Sequence, residues 1–193
     1  MSLNAILENS KKTVESAKKF ACEKHRNQKR KDGITPFSDH LQGVVNRLKN
    51  LGVSDQEVIS AAWLHDIIET TDCTFEEINE IFGNTISVLV LSLTKDMTLS
   101  KKERELQYVQ QLKDLTSQAK LIKFCDISAN LKDIAKAPIS KTQKSKQIKK
   151  SFHYLRVIKK GISENKSNYP KIQEMVDGIN SVGEKFRQRQ VVI

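Results

Sequence analysis

Apolar residues recur at intervals of three and four almost throughout the chain, and no stretch alternates long enough to demand a strand. Thr35-Pro36 reads as an N-cap followed by proline at the first helical position. Leu41, Val44, Val45, Leu48 and Leu51 form the stripe behind it, and Gly52 is the stop. Ser54 with Glu57 makes a capping-box pattern ahead of Val58, Ile59, Ala62 and Leu64. Thr74 with Glu77 opens another helix that Gly83 closes, and Ser100 with Glu103 opens a further one. Residues 85–94 (TISVLVLSLT) are apolar on most sides and predict a buried helix despite their β-branched content. One more helix is expected over 117–135, ending near Pro138, and two long basic helices at about 141–160 and 170–189. The pattern therefore predicts an all-α, bundle-like fold of about ten helices with short connections. Neither an internal repeat nor a linker interrupts it, so a single domain over 1–193 is expected.

Composition narrows this picture. At 193 residues and 38% hydrophobic content, the chain can bury one packed core. Only three prolines and seven glycines interrupt it, in keeping with long regular elements. No apolar run approaches the ~20 residues of a membrane span. The first ten residues carry no apolar signal stretch, so neither membrane attachment nor export is expected. Cys22, Cys73 and Cys125 are odd in number and lack CxxC spacing, which argues against a disulfide framework and for the cytoplasm.

The net charge of +10 is unevenly spread. Residues 1–131 hold 18 basic and 18 acidic residues, whereas 132–193 hold 15 basic and 5 acidic. That third reads either as a solvated lysine-rich surface or as a face that attracts a polyanion such as a nucleotide polyphosphate or RNA. Its lysines are not interleaved with aromatics, so nucleic-acid recognition is not expected. A homo-oligomer is left open.

Candidate chemistry appears where polar residues interrupt apolar helices. In Trp63-Leu64-His65-Asp66-Ile67-Ile68-Glu69, an imidazole and two carboxylates stand among residues that should be buried. Burying such groups is costly unless they are paired or bind a metal. If one helix continues through them, His65, Asp66 and Glu69 share one side of it. Near 123–130 the charged and amide residues Lys123, Asp126 and Asn130, at i, i+3 and i+7, again line one face among apolar neighbours. A divalent ion shared by His65, Asp66 and Asp126 would satisfy both segments. His40, one turn into the helix after Pro36, is the fourth candidate ligand. Two imidazoles and two carboxylates suit Mn, Fe, Co or Zn rather than calcium.

Four stretches then carry a resemblance to a known family: KHRNQKRKDGITPFSDH (24–40), AAWLHDIIE (61–69), TFEEINEIFG (74–83) and KFCDISANLKDI (123–134). Over roughly residues 15–162 the chain resembles the HD-domain alarmone hydrolases, small stand-alone forms included, which remove the 3′-pyrophosphate from (p)ppGpp. The resemblance implies a helical HD domain that binds a guanosine polyphosphate and uses manganese held by His40, His65, Asp66 and Asp126. It implies that Glu69 positions or activates the attacking water. It also implies that Arg30 and Lys31 contact the nucleotide, and that Lys101 and Asn130 lie near its phosphates and ribose. This chain departs from the family at Thr70, where the HD-x-x-ED pattern carries Asp, and at Leu41, where a proline is usual. The loop before Thr35 is also shorter. A hydroxyl cannot replace a carboxylate as a base, so two alternatives stand beside the first reading: an HD phosphohydrolase of another phosphorylated nucleotide, and a catalytically weakened alarmone-binding module. Asp72 is the nearest other carboxylate that could stand in.

Overall fold

The computed structural model describes the backbone of residues 3–193 and the side chains from residue 13 onward. Met1 and Ser2, where the segment read as lacking a signal stretch begins, lie outside the described residues. Among the described residues the chain forms ten helices: α1 (Leu3–Lys24), α2 (Phe37–Leu51), α3 (Gln56–Leu64), α4 (Ile67–Thr70), α5 (Phe75–Phe82), α6 (Asn84–Leu93), α7 (Lys101–Asp114), α8 (Ser117–Lys136), α9 (Lys141–Glu164) and α10 (Ile172–Glu184). The all-α expectation holds, and the described residues contain no strand beyond an isolated bridge between Lys29 and Pro36. No described helix is long and apolar enough to cross a membrane.

Local signals set several boundaries as the sequence reads them. Gly52 takes φ 101°, and its amide donates to the carbonyls of Leu48 and Lys49, closing α2. Thr74 accepts the Glu77 amide at the start of α5. Ser100 and Glu103 form both arms of a capping box at α7. Other boundaries move. Pro36, not Thr35, is the N-cap of α2, because the Thr35 hydroxyl is taken up by Asp32 in the preceding turn. Asp55 caps α3 in place of Ser54, its carboxylate accepting from the amides of Glu57 and Val58. α10 stops at Glu184, short of 189, where Gln188 N–H bonds the Gly183 carbonyl and Arg187 turns left-handed at φ 57°. α6 is buried on one side only, since Val88 and Leu91 are about half exposed.

α8 forms the axis of the molecule. It buries eleven of its twenty residues and packs against α2, α3, α6, α9 and α10. Its polar face therefore meets the polar residues of α2, the α3–α4 junction and α9.

Candidate metal centre and its cavity

The continuous helix expected through His65, Asp66 and Glu69 is broken. α3 ends at Leu64, His65 and Asp66 occupy a loose turn, and α4 restarts at Ile67. His65 Nδ1 lies 2.8 Å from the Ala62 carbonyl, which can only accept, so Nδ1 carries a proton and Nε2 is the nitrogen left to take a second proton or a metal ion. α2 brings in His40, whose ring lies 5.4 Å from that of His65 and edge-on to Phe37, itself stacked on His25 at 4.6 Å.

α8 contributes Asp126. Its Oδ1 lies 3.2 Å from His40 Nε2 and 3.7 Å from His65 Nε2. Asp66 Oδ2 lies 3.6 and 3.4 Å from the same two nitrogens. His40, His65 and Asp126 each offer one ligand atom within 4.8 Å of the others, a grouping that could hold one ion, and Asp66 Oδ2 stands beside both imidazoles as a fourth candidate. The sharpest sign is that His40 Nδ1, His40 Nε2 and His65 Nε2 are buried without any hydrogen-bond partner. Buried polar nitrogens are rarely left so, and a cation held by the two Nε2 lone pairs removes the cost at those two, while His40 Nδ1 faces Asp133 Oδ2 at 3.8 Å.

The electrostatics agree. Burial alone would push the His65 imidazole down, but Asp66 and Asp126 overcome it and carry it up to about 9. Burial would likewise raise both carboxyls, yet Lys123 and the histidines hold Asp126 well below the usual range, and His65 holds Asp66 below it. The cluster thus draws positive charge, as a proton or as a metal ion competing with it. Lys123 Nζ donates to Asp126 Oδ2 at 2.8 Å, and Asn130 Nδ2 to Oδ1 at 2.5 Å, which orients the carboxylate.

Other sequence-selected residues fall in different places. Glu69 is bound by Lys95, through its backbone amide at 2.9 Å and its ammonium at 3.1 Å from each oxygen. Arg30 donates to Asn130 at 2.8 Å and to Asp133 at 2.9 Å. Lys31 donates to Gln147 of α9. Lys101 is exposed at the start of α7 and does not line the cavity described next. Thr70 Oγ1 lies 2.7 Å from the Asp66 carbonyl and 3.0 Å from His25 Nε2. Asp72 is 88% exposed and paired with Lys24 at 3.3 Å, turned to the surface.

Asp66 and Asp126 open into a cavity of about 240 Å³ also lined by Lys31, Lys95, Lys123, Asn130, Lys150 and Tyr154. A second hollow of about 140 Å³, lined by Arg30, Asp32 and Asp133, shares Lys31, Asn130 and Ile134 with it. Sequence reasoning missed Lys95, Asp133, Gln147, Lys150 and Tyr154. Asp133 continues the 123–126–130 face of α8 and could have been found by spacing. Lys150 stands in a helix so rich in lysine that no pattern singles it out.

A model of the HD domain family matches residues 17–158. Over 117 residues the chain is 47% identical to the guanosine-3′,5′-bis(diphosphate) 3′-pyrophosphohydrolase MESH1 of Danio rerio, covering 60% of this chain and 65% of that protein. It is 42% identical, with the same coverage, to the human protein of that name. It is 35% identical over 137 residues to the guanosine-3′,5′-bis(diphosphate) 3′-pyrophosphohydrolase of Aquifex aeolicus, covering 71% of this chain and 19% of that one. The matches thus span slightly less than two thirds of the first of these relatives. A solved structure described as a metazoan orthologue of SpoT that hydrolyzes ppGpp superposes with TM-score 0.74 at 27% identity, covering 86% of this chain and 93% of its own.

Proposed function

The chain belongs to the HD domain family, and from that membership we propose that it is a metal-dependent pyrophosphohydrolase acting on guanosine tetra- or pentaphosphate. Water would cleave the bond between the 3′-oxygen and its phosphorus, releasing pyrophosphate and leaving GDP or GTP. The observation that carries this reading is the pair of unpartnered Nε2 atoms of His40 and His65 beside Asp66 and Asp126, whose carboxylates line a lysine-rich cavity. The names of the relatives support the nucleotide. A divalent ion held by His40, His65, Asp66 and Asp126 would supply Lewis-acid stabilisation of phosphoryl charge and activation of water at neutral pH. Manganese is our choice on the resemblance to the alarmone hydrolases, since two imidazoles and two carboxylates by themselves suit Mn, Fe, Co or Zn alike.

The chain's own residues carry the rest. Lys31, Lys95 and Lys123 line the side where a diphosphate's charge must be met. Arg30 and Asn130 line the adjoining hollow, which suits the ribose and base. Glu69, fixed by Lys95, is our candidate for orienting the water. Three free cysteines fit a reducing compartment, the cytoplasm.

Thr70 favours a second reading, in which the site binds the alarmone but turns it over slowly or not at all. One assay separates the two. The metal-loaded protein is offered (p)ppGpp beside other phosphorylated nucleotides, and pyrophosphate and nucleoside products are followed. Manganese-dependent release of pyrophosphate from (p)ppGpp is expected. Preference for another nucleotide overturns the substrate, and binding without release supports the second reading.

A further inference from the structure

α9 presents Gln147, Lys150, Ser151 and Tyr154, spaced i, i+3, i+4 and i+7, along one wall of the cavity that holds Asp66 and Asp126. The basic C-terminal third therefore reaches the site through one stripe, while Lys141, Lys146 and Lys149 line a separate outer groove. Of the four ammonium groups on the cavity wall, two are tightly committed. Lys123 is 11% exposed and bonded to Asp126, and Lys95 holds both oxygens of Glu69. Lys31 spends its bond on the neutral amide of Gln147.

Lys150 differs from these. Its ammonium pairs with Oε2 of Glu105 on α7, which also accepts the Tyr154 hydroxyl at 3.0 Å. Lys150 lines the cavity, whereas Glu105 stands outside its lining. The pair is half exposed, 47% and 34%, so solvent screens it and little is lost when it opens. A diphosphate offers more charge and more acceptor oxygens than one carboxylate, so it is the stronger partner for the same ammonium.

We propose that Lys150 is a substrate-binding residue of this site, and that Glu105 is an internal stand-in anion that occupies Lys150 until a substrate phosphate displaces it. The proposal rests on the reading of the site as one for a guanosine polyphosphate. Tyr154, buried beneath the Lys150 ammonium and bonded to Glu105, keeps the carboxylate in reach after the exchange.

The two residues then act on affinity with opposite signs, which a merely structural ion pair would not produce. With metal-loaded protein and (p)ppGpp, Lys150→Gln should raise KM roughly tenfold, the usual worth of a bond to a charged group, with kcat within about twofold. Lys150→Arg should restore most of the loss. Glu105→Gln should lower KM, because the competing anion is gone, and added salt should shrink both effects. Both variants are also titrated calorimetrically with inorganic pyrophosphate supplied as its manganese complex, which needs no turnover. Opposite shifts in pyrophosphate affinity without (p)ppGpp hydrolysis by the wild type would uphold the exchange and overturn the substrate. Hydrolysis by the wild type, with KM unmoved in both variants or raised in both, would overturn the exchange and leave the substrate standing.

Discussion

The Lys95 ammonium lies 3.1 Å from each carboxylate oxygen of Glu69, and the Lys95 backbone amide donates to one of them at 2.9 Å. Glu69 is thereby fixed at the end of the α4 turn beside the Asp66 ligand candidate. If it orients the attacking water, Glu69→Gln should keep its metal and lose ~10²–10⁴-fold in kcat, the usual worth of general-base help. Lys95→Met, which loosens the carboxylate and also removes one cation from the cavity wall, should cost less in kcat, up to about 10²-fold, and raise KM as well. Metal analysis beside kcat checks both. Wild-type turnover in Glu69→Gln would remove Glu69 from the chemistry.

For the proposed four-ligand centre, His65→Ala is the cleanest probe. The substitution deletes a nitrogen that has no other partner and leaves α3 capped by Asp55. Metal content should fall from one ion per chain to a small fraction, and Asp66→Ala should do the same. Full occupancy in either would refute the assignment. Asp126→Ala is expected to do further harm, because it strands the buried Lys123 ammonium. Losing one partner of a buried pair costs about 3–5 kcal/mol, so its melting temperature should drop as well.

What the sequence made legible follows how local each cause is. The caps at Thr74 and Ser100 are decided within four residues, and so were readable, as was the Gly52 stop. The cap at Asp55 was missed by one position because serine and aspartate stand side by side and only geometry selects between them. The bend at His65–Asp66 leaves no mark in the periodicity, because both residues stay near helical angles. The four ligand candidates stood out through polarity in apolar surroundings. Lys95 and Lys150 reach the cavity only through packing, and nothing within their own helices or loops announces it.

α10 carries two glycines whose replacement should act in opposite directions. A Cβ on Gly183 would lie 2.1 Å from Phe152 Cζ and under 3 Å from both Cε atoms, and that ring is fully buried. Gly183→Ala should therefore cost about 1–3 kcal/mol through overpacking. For a chain of this size each kcal/mol moves Tm by roughly 2–4 °C. Gly178 is exposed mid-helix with open space around its Cβ, so Gly178→Ala should stabilise by up to about 1 kcal/mol. Paired thermal melts decide it, and a destabilised Gly178→Ala or an unaffected Gly183→Ala would contradict this packing.

Two of the three thiols, Cys73 and Cys125, should be slow to react. Burial pushes up the thiols of Cys22 and Cys125, and pushes Cys73 up to about 12, so the reactive thiolate is scarce at neutral pH. Iodoacetamide at pH 7.5 should leave buried Cys73 and Cys125 of the folded protein unlabelled while partly exposed Cys22 reacts first, and should modify three sites after unfolding. Rapid labelling of Cys73 or Cys125 in the native protein would show the packing around them to be looser than described.

Thr70 offers the most direct way to change the rate. Its hydroxyl lies 2.7 Å from the Asp66 carbonyl, an i to i−4 back-bond, and 3.0 Å from His25 Nε2. Thr70→Asp would put a carboxylate where that hydroxyl meets the His25 ring, next to the ligand turn. If the slow step wants a second carboxylate, kcat on (p)ppGpp should rise, by as much as about 10²-fold, with KM nearly unchanged because the gain belongs to the chemical step. An ionised aspartate cannot donate to the Asp66 carbonyl, so α4 loses that bond and stability should fall by about 1 kcal/mol. Faster turnover with a lower melting temperature is therefore the expected pair of results, a trade seen when function wants a residue that packing does not. Asp72 is turned to the surface by Lys24, so Asp72→Asn should leave the rate alone. The opposite outcome, no gain from Thr70→Asp and collapse in Asp72→Asn, would mean that the loop at 71–73 rearranges to bring Asp72 to the water. If the wild type and Thr70→Asp both fail to release pyrophosphate while still binding (p)ppGpp, the missing carboxylate is not what limits the chain, and the binding-only reading takes over.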